Sequence, residues 1–252
     1  MRATRSNTWR GPAARAVPCR IRRRRARGLH GLAICSIGLV PVPAMAQTGF
    51  EISVASDDRF RGQTVSGDRP IGTATLAYDD VRGLYAGISA TVVATRDSGV
   101  RPHRSVQYVG YARRLSGALT FDIGITNRVY SRFFTGDYAR RLTEAYVGLI
   151  GRRVQSHLYL TPDYDGRGGE AAYVDVNATL VEHGPWSLAG HGGVLTPPRD
   201  PGRPRFIELD WRLGVARRFD RLAITVQWAG NGPNHDSGRW QSGLILGARR
   251  SF

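Results

Sequence analysis

The chain has 252 residues, a formal net charge of +16 and 36 basic side chains, every one of them arginine. Ten of the 36 lie in residues 1–46, which contain no acid; the remainder carries 26 basic and 20 acidic residues, a net of +6 spread along its length. Scattered charge of this kind argues against a nucleic-acid binder, which gathers its positive charge on one face or tract. Both cysteines, Cys19 and Cys35, also fall before Gln47, so the chain from Gln47 onward has no thiol chemistry.

Residues 1–46 read as a signal peptide. A long arginine-rich stretch, with Arg20 to Arg27 as its core, precedes an apolar run from Gly31 to Val40 that is too short to span a bilayer as a helix. Ala44-Met45-Ala46 then fits a small-residue cleavage pattern, with the cut expected between Ala46 and Gln47. An acid-free leader also suits a mitochondrial transit peptide, but the compact apolar run and the cleavage pattern favour secretion.

From Gln47 to Phe252 the chain reads as one domain of alternating segments. Phe50, Ile52 and Val54 alternate with Glu51 and Ser53; Leu84, Ala86, Ile88 and Ala90 alternate with Tyr85, Gly87, Ser89 and Thr91. Period two is the strand signal. It predicts twelve strands, at 49–58, 71–79, 84–95, 104–115, 118–127, 142–151, 153–161, 171–181, 185–195, 206–217, 221–230 and 241–252. Short connections, such as Gly151–Arg152 and Glu182–Gly184, alternate with longer ones, such as Arg59–Pro70, Arg96–His103 and Arg128–Arg141.

Short turns on one side and long loops on the other are the mark of an up-and-down transmembrane barrel, and an even strand count puts both termini at the short-turn end. The expected fold is therefore all-β, a transmembrane antiparallel barrel of about twelve strands. A soluble β-sandwich or lipocalin-like barrel also needs alternation. Three features favour the membrane: a polar stripe rich in small residues (Gly87, Ser89, Thr91, Gly124, Gly148, Gly193, Gly214), aromatics expected near strand ends (Tyr108, Tyr111, Phe134, Tyr146, Tyr159, Trp186, Trp228), and the terminal Phe252, which fits an outer-membrane assembly signal.

Ser56-Asp57-Asp58-Arg59-Phe60-Arg61-Gly62, just beyond the leader, resembles the N-terminal signature of the TorF family of porin-like proteins. The resemblance continues through Gly83–Gly87, Thr143–Leu149, Leu158–Tyr164 and the terminal Arg250-Ser251-Phe252, covering essentially all of residues 47–252. Asp58 departs from it, standing where the family carries an aromatic, and Ser105–Tyr108 lacks an acidic residue that relatives tend to show. The resemblance implies an outer-membrane protein of a Gram-negative bacterium with a porin role.

The polar phase of the strands assigns Glu51, Arg113, Asp122, Glu144, His157, Asp175, His191, Glu208, Asp210, Arg212 and Arg249 to the lumen. They form either the wall of a solute channel or a salt-bridge network filling a narrow cylinder; glycine and serine on that face suggest free volume and an open pore. Arg59, Phe60 and Arg61 open the first long loop and are expected to anchor it through hydrogen bonds and headgroup contacts, with a constriction element as the alternative.

Other constellations are weaker. His235 and Ser237, two apart with Asn231 and Asn234 nearby, resemble the nucleophile arrangement of outer-membrane lipid hydrolases, but they lie in turn-forming sequence. Asp163, Asp165, Gly166, Gly168 and Glu170 lack the spacing of a calcium loop. His103, His157, His183, His191 and His235 show no zinc motif, and no strand-to-helix glycine loop points to a nucleotide. The expectation is a porin, not an enzyme, with no cofactor or metal, passing small hydrophilic solutes. Its partners would be outer-membrane lipids, lipopolysaccharide and, through Phe252, the barrel-assembly machinery. The rivals are a non-conducting structural or binding barrel and, behind it, a lipid hydrolase.

Overall fold

A computed structural model describes residues 47–136, 138–196, 207–233 and 240–252. The expected leader with its expected Ala46–Gln47 cleavage point, and the His235 and Ser237 pair, fall on or beyond the edge of the described residues. In chain order the strands are β1 (Gln47–Ala55), β2 (Arg59–Phe60), β3 (Gln63–Thr64), β4 (Ile71–Asp79), β5 (Leu84–Thr95), β6 (Gly99–Arg114), β7 (Thr120–Tyr130), β8 (Arg141–Ile150), β9 (Val154–Thr161), β10 (Ala171–His183), β11 (Trp186–Thr196), β12 (Glu208–Phe219), β13 (Leu222–Gly232) and β14 (Gln241–Ser251).

Twelve of them close into a barrel in which each strand is antiparallel to its neighbours, and β14 returns to β1. The strands β2 and β3 form a separate small hairpin. Closure follows from the surroundings the outer face implies. Phe50, Ile52, Val54, Leu76, Ile88, Ile125, Leu213, Ile224 and Leu244 all point outward and are exposed. In hydrocarbon an unpaired strand edge costs several kcal/mol per backbone group, so only a sheet without edges is stable there. The first and last barrel strands come together at the short-turn end, where the rings of Phe50 and Phe252 lie 5.6 Å apart.

The predicted strands are the strands of the barrel, with two instructive differences. β1 ends at Ala55, not 58, because the chain there turns into the lumen. The expected loop Arg96–His103 is a tight connection, with Val93 to Thr95 still paired to Arg101 to Gly99.

The inner face is not the open space its glycines suggest. A Cβ on Gly87 would collide with the Tyr108 ring, one on Gly110 with Tyr85, one on Gly124 with Tyr146, one on Gly148 with His157, and one on Gly193 with Tyr173. Each glycine is a recess into which a ring from the adjacent strand lies flat along the wall. Tyr108, Tyr146 and Tyr159 are therefore lumen residues and not part of an interfacial girdle, whereas Tyr111, Trp186, Trp228 and Phe252 are exposed on the outside.

Hydrophobic packing sits where a soluble protein would not place it, in the barrel mouth. Val65, Tyr130, Tyr138 and Leu142 are buried against one another, with Phe60, Phe134 and Tyr164 packed around them. This cluster joins three loops and stands directly above the polar interior.

Candidate functional site: an inward-folded loop over a polar lumen

The segment from Ser56 to Pro70 leaves β1 and folds down into the barrel. Its tip is the β2–β3 hairpin, whose two turn residues, Arg61 and Gly62, have φ of 51° and 73°. Positive φ at both positions is what a two-residue hairpin of matching twist demands. Gly62 is further constrained by a close approach, since a Cβ there would strike the carbonyl oxygen of Gly230 on β13. The tip thus touches the wall at β13, two strands around the barrel from β1.

Its base is tied by short polar links. Asp57 Oδ1 accepts from the hydroxyls of Thr64 (2.6 Å) and Ser66 (2.8 Å), and the Asp58 amide donates to Ser66 Oγ at 3.0 Å. Arg59 Nε meets Asp57 Oδ2 at 2.8 Å, and its Nη1 donates to the Gly62 carbonyl at 2.9 Å. Asp58 is held from the wall by Arg104 Nη1 at 3.3 Å and His103 Nε2 at 3.4 Å. Burial would raise the Asp58 carboxyl, but Arg104 and then His103 outweigh it and hold its pKa below the usual 3.8. The loop also grips its neighbour: Arg69 Nη2 donates to the Phe133 carbonyl at 2.9 Å, and the Thr135 amide to that of Val65 at 3.1 Å.

Arg61 is the central contact. Its Nη2 meets Glu144 Oε1 at 2.5 Å, while Arg128 Nη1 meets Glu144 Oε2 at 2.6 Å, and Thr161 Oγ1 donates to the same carboxylate at 2.9 Å. Glu144 is fully buried, so it holds its charge only because two guanidinium groups share it. The Arg61 guanidinium lies 4.0 Å over the Tyr173 ring and 4.7 Å over Phe60, favourable positions for a cation on an aromatic face. Burial opposes its charge, yet Glu144 and the surrounding tyrosines shift the pKa above the usual arginine value.

Below the hairpin lies a cavity of about 490 Å³. Asp122, Glu144, His157, Asp175, His191, Asp210 and Arg212 line it, all assigned to the lumen from the strand phase. His157 stands between Asp122 (Nε2, 3.4 Å) and Asp175 (Nδ1, 3.5 Å), and His191 between Asp210 (Nε2, 2.7 Å) and Asn177 (Nδ1, 2.8 Å). Tyr85 donates to Asp122 at 2.5 Å and lies 2.5 Å from the Tyr146 hydroxyl. These groups form a hydrogen-bonded belt around mid-barrel.

Glu51, Glu208 and Arg249 share the inward phase but do not line that cavity; Glu208 and Arg249 sit near the ends of β12 and β14, and Glu51 lies at the middle of β1. Arg113 does not face the lumen. It shares the phase of the exposed Val109 and Tyr111 and pairs with Phe121, so it sits on the outer face at the end of β6.

Arg59 and Arg61 anchor the loop by hydrogen bonds, as expected, but with Phe60 they line the cavity instead of reaching for headgroups. Phase reasoning misses Tyr85 and Tyr173 because it counts only charged and histidine side chains, and it misses Arg104 and Arg128 because they fall at the first position of one expected strand and just past the end of the next. The Asp163–Glu170 loop closes on itself: Asp163 and Asp165 accept backbone amides of Gly168 (2.8 Å) and Arg167 (2.9 Å). Among the described residues no cluster of His, Cys, Asp and Glu could hold a metal ion.

Among solved structures, the KdgM porin superposes with a TM-score of 0.50 at 8% identity, covering 81% of this chain and 99% of that one. The NanC porin gives 0.55 at 9% identity, covering 80% and 98% respectively. At such identities the likeness concerns the fold, which is a porin-like closed barrel of twelve antiparallel strands. No curated protein matches the sequence. A family model described as a bacterial protein of unknown function (Gcw_chp) matches residues 44–239, and the chain belongs to that family.

Proposed function

We propose that the protein is an outer-membrane porin that passes small hydrophilic solutes by passive diffusion, with the first loop setting the narrowest point of the path. The observation that carries this reading is the cavity of about 490 Å³ inside a lipid-matched wall, lined by ionised and hydroxyl groups beneath Arg59, Phe60 and Arg61. A path of this kind works without moving parts. The exterior satisfies lipid, and the inner belt offers a passing solute replacements for its water of hydration.

The leader at 1–46 would carry the chain across the inner membrane, and the aromatic terminus at Phe252 would present it to the assembly machinery. Lipopolysaccharide and outer-membrane lipids would surround the barrel. The TorF resemblance supports the same reading.

One observation favours a second reading, a non-conducting barrel that binds through its loops. The mouth holds a packed core of Val65, Tyr130, Tyr138 and Leu142 that would block that side of the opening. Planar-bilayer recordings of purified protein separate the two: discrete conductance steps support the porin, and a silent membrane containing correctly folded barrel supports the rival. Liposome swelling with graded sugars, amino acids and anions then ranks solutes. Oligogalacturonate belongs in the panel, since the KdgM porin was solved in complex with it.

A further inference from the structure

The lumen has two unlike halves. On β13, β14, β1 and β4 the cavity is lined by Gln227, Ser53 and Thr73 among small and aliphatic neighbours. Among the described residues these four strands give it no charge and no ring. The rings and charges of the wall stand on the other side, from β5 to β12.

Five tyrosines make a continuous crescent there. Tyr146, Tyr159 and Tyr173 lie directly opposite one another on β8, β9 and β10, with successive ring centroids 5.5 Å and 6.0 Å apart. The Tyr146 hydroxyl is 2.5 Å from that of Tyr85, whose ring centroid is 6.1 Å from that of Tyr108. All but Tyr159 rest over a glycine of the neighbouring strand and so turn a face, not an edge, to the lumen. Arg61 already sits on such a face, 4.0 Å over Tyr173. Strands of membrane barrels tilt by roughly 35–45°, so a row of rings across them climbs the wall as a ramp.

This arrangement discriminates between solutes. The negative faces of the rings repel an anion. The carboxylates that would hold a cation are already engaged, Asp122 and Asp175 by His157 and Asp210 by His191. A neutral pyranose fits both halves. Its C–H face is apolar and packs on an aromatic ring through dispersion and weak C–H contacts. Its edge hydroxyls both donate and accept, as the opposite wall requires. At the β6 end of the crescent, the buried Tyr108 hydroxyl has no hydrogen-bond partner among the described residues, a vacancy that a sugar hydroxyl would fill.

We propose that the lumen selects neutral pyranose sugars, which move along the tyrosine crescent with their hydroxyls turned to Ser53, Thr73 and Gln227. The proposal rests on the porin reading, of which it names the solute class.

The test reads binding and passage separately, on purified protein folded in lipid nanodiscs and in planar bilayers. Saturation-transfer NMR should show methyl α-glucoside bound through its ring C–H protons. The same sugar should interrupt the ion current in brief, concentration-dependent steps. Sorbitol, which has hydroxyls but no ring, should do neither. Tyr146→Leu should weaken sugar binding about fivefold, the loss of one aromatic contact. Tyr146→Phe keeps the ring and should restore binding. Heat-modifiable migration shows which variants are folded, and Tyr108→Leu reads the same crescent if Tyr146→Leu is not. Sorbitol binding as well as the glucoside would overturn the proposal, as would tighter binding of choline or galacturonate, or a loss in Tyr146→Phe equal to that in Tyr146→Leu. Conductance without sugar binding sinks this inference alone. Ring-dependent binding without conductance sinks the porin reading and supports the crescent as a binding site.

Discussion

Arg61 and Glu144 lie 83 positions apart in sequence, and their side chains meet at 2.5 Å inside the barrel. One comes from a loop tip and the other from the middle of the wall. Their contact is the tie that joins the loop tip to the wall at β8. Removing one member of a buried pair costs about 3–5 kcal/mol, because it strands the other charge. Arg61→Ala should therefore release the hairpin without opening the barrel. Single-channel conductance should rise, with heat-modifiable migration unchanged.

Glu144→Gln tests the same contact from the other side and should leave Arg61 and Arg128 facing each other without their shared anion. The expected outcome is again a larger conductance, together with faster proteolytic cleavage near Gln63. Conductance equal to that of the unaltered protein in both variants would show that the hairpin does not limit the path.

The recesses beneath the rings make an opposite prediction. A side chain at Gly148 would displace the His157 ring from its place against the wall and push it into the lumen. Gly148→Val should lower conductance, and the double variant with His157→Ala should recover it. A glycine that merely left empty space would show neither effect.

Acid should loosen the loop through Asp58. Its folded pKa is depressed below 3.8, with Arg104 and His103 outweighing burial. The stabilisation it provides is thus complete above that pH and fades as pH falls through the lowered value. Arg128 also faces it. Conductance should stay constant from neutrality to about pH 4 and climb in stronger acid. Asp58→Asn should abolish that acid limb, as read by recordings across a pH series.

The lipid face has its own test. Leu213 sits near the middle of β12 and points outward. Arginine there should cost about 2–4 kcal/mol of insertion free energy, as for a charge near the bilayer midplane. Asp210→Asn, on the inner face of the same strand, should instead alter ion selectivity and leave folding into liposomes near normal.

Strand positions are legible in the sequence because each strand of a barrel has one wet and one greasy side, so burial chemistry repeats every second position. The same period assigns Asp122, Glu144, His157, Asp175, His191 and Asp210 to the inner face, and all six border the cavity. The rule weakens at Tyr108–Arg114, where aromatic residues occupy both phases, and it puts Arg113 on the wrong face. The inward fold of the first loop is not legible, because Ser56 to Pro70 has the polar composition of any surface loop. Its clues are local: Phe60 and Val65 are apolar residues stranded in a polar stretch, and Arg61-Gly62 is a turn pair able to take positive φ. Nor does a glycine in sequence reveal whether a neighbour's ring will fill the place of its missing side chain.

The seam joining the first strand to the last fixes an order on biogenesis. Until β14 arrives, β1 and β13 both present raw backbone, and no intermediate can seal itself before the whole polypeptide has been delivered. A chain cut short by even its final dozen residues would be left as a curled ribbon with two sticky margins, open to proteases and to edge-to-edge pairing, and not as a smaller closed barrel.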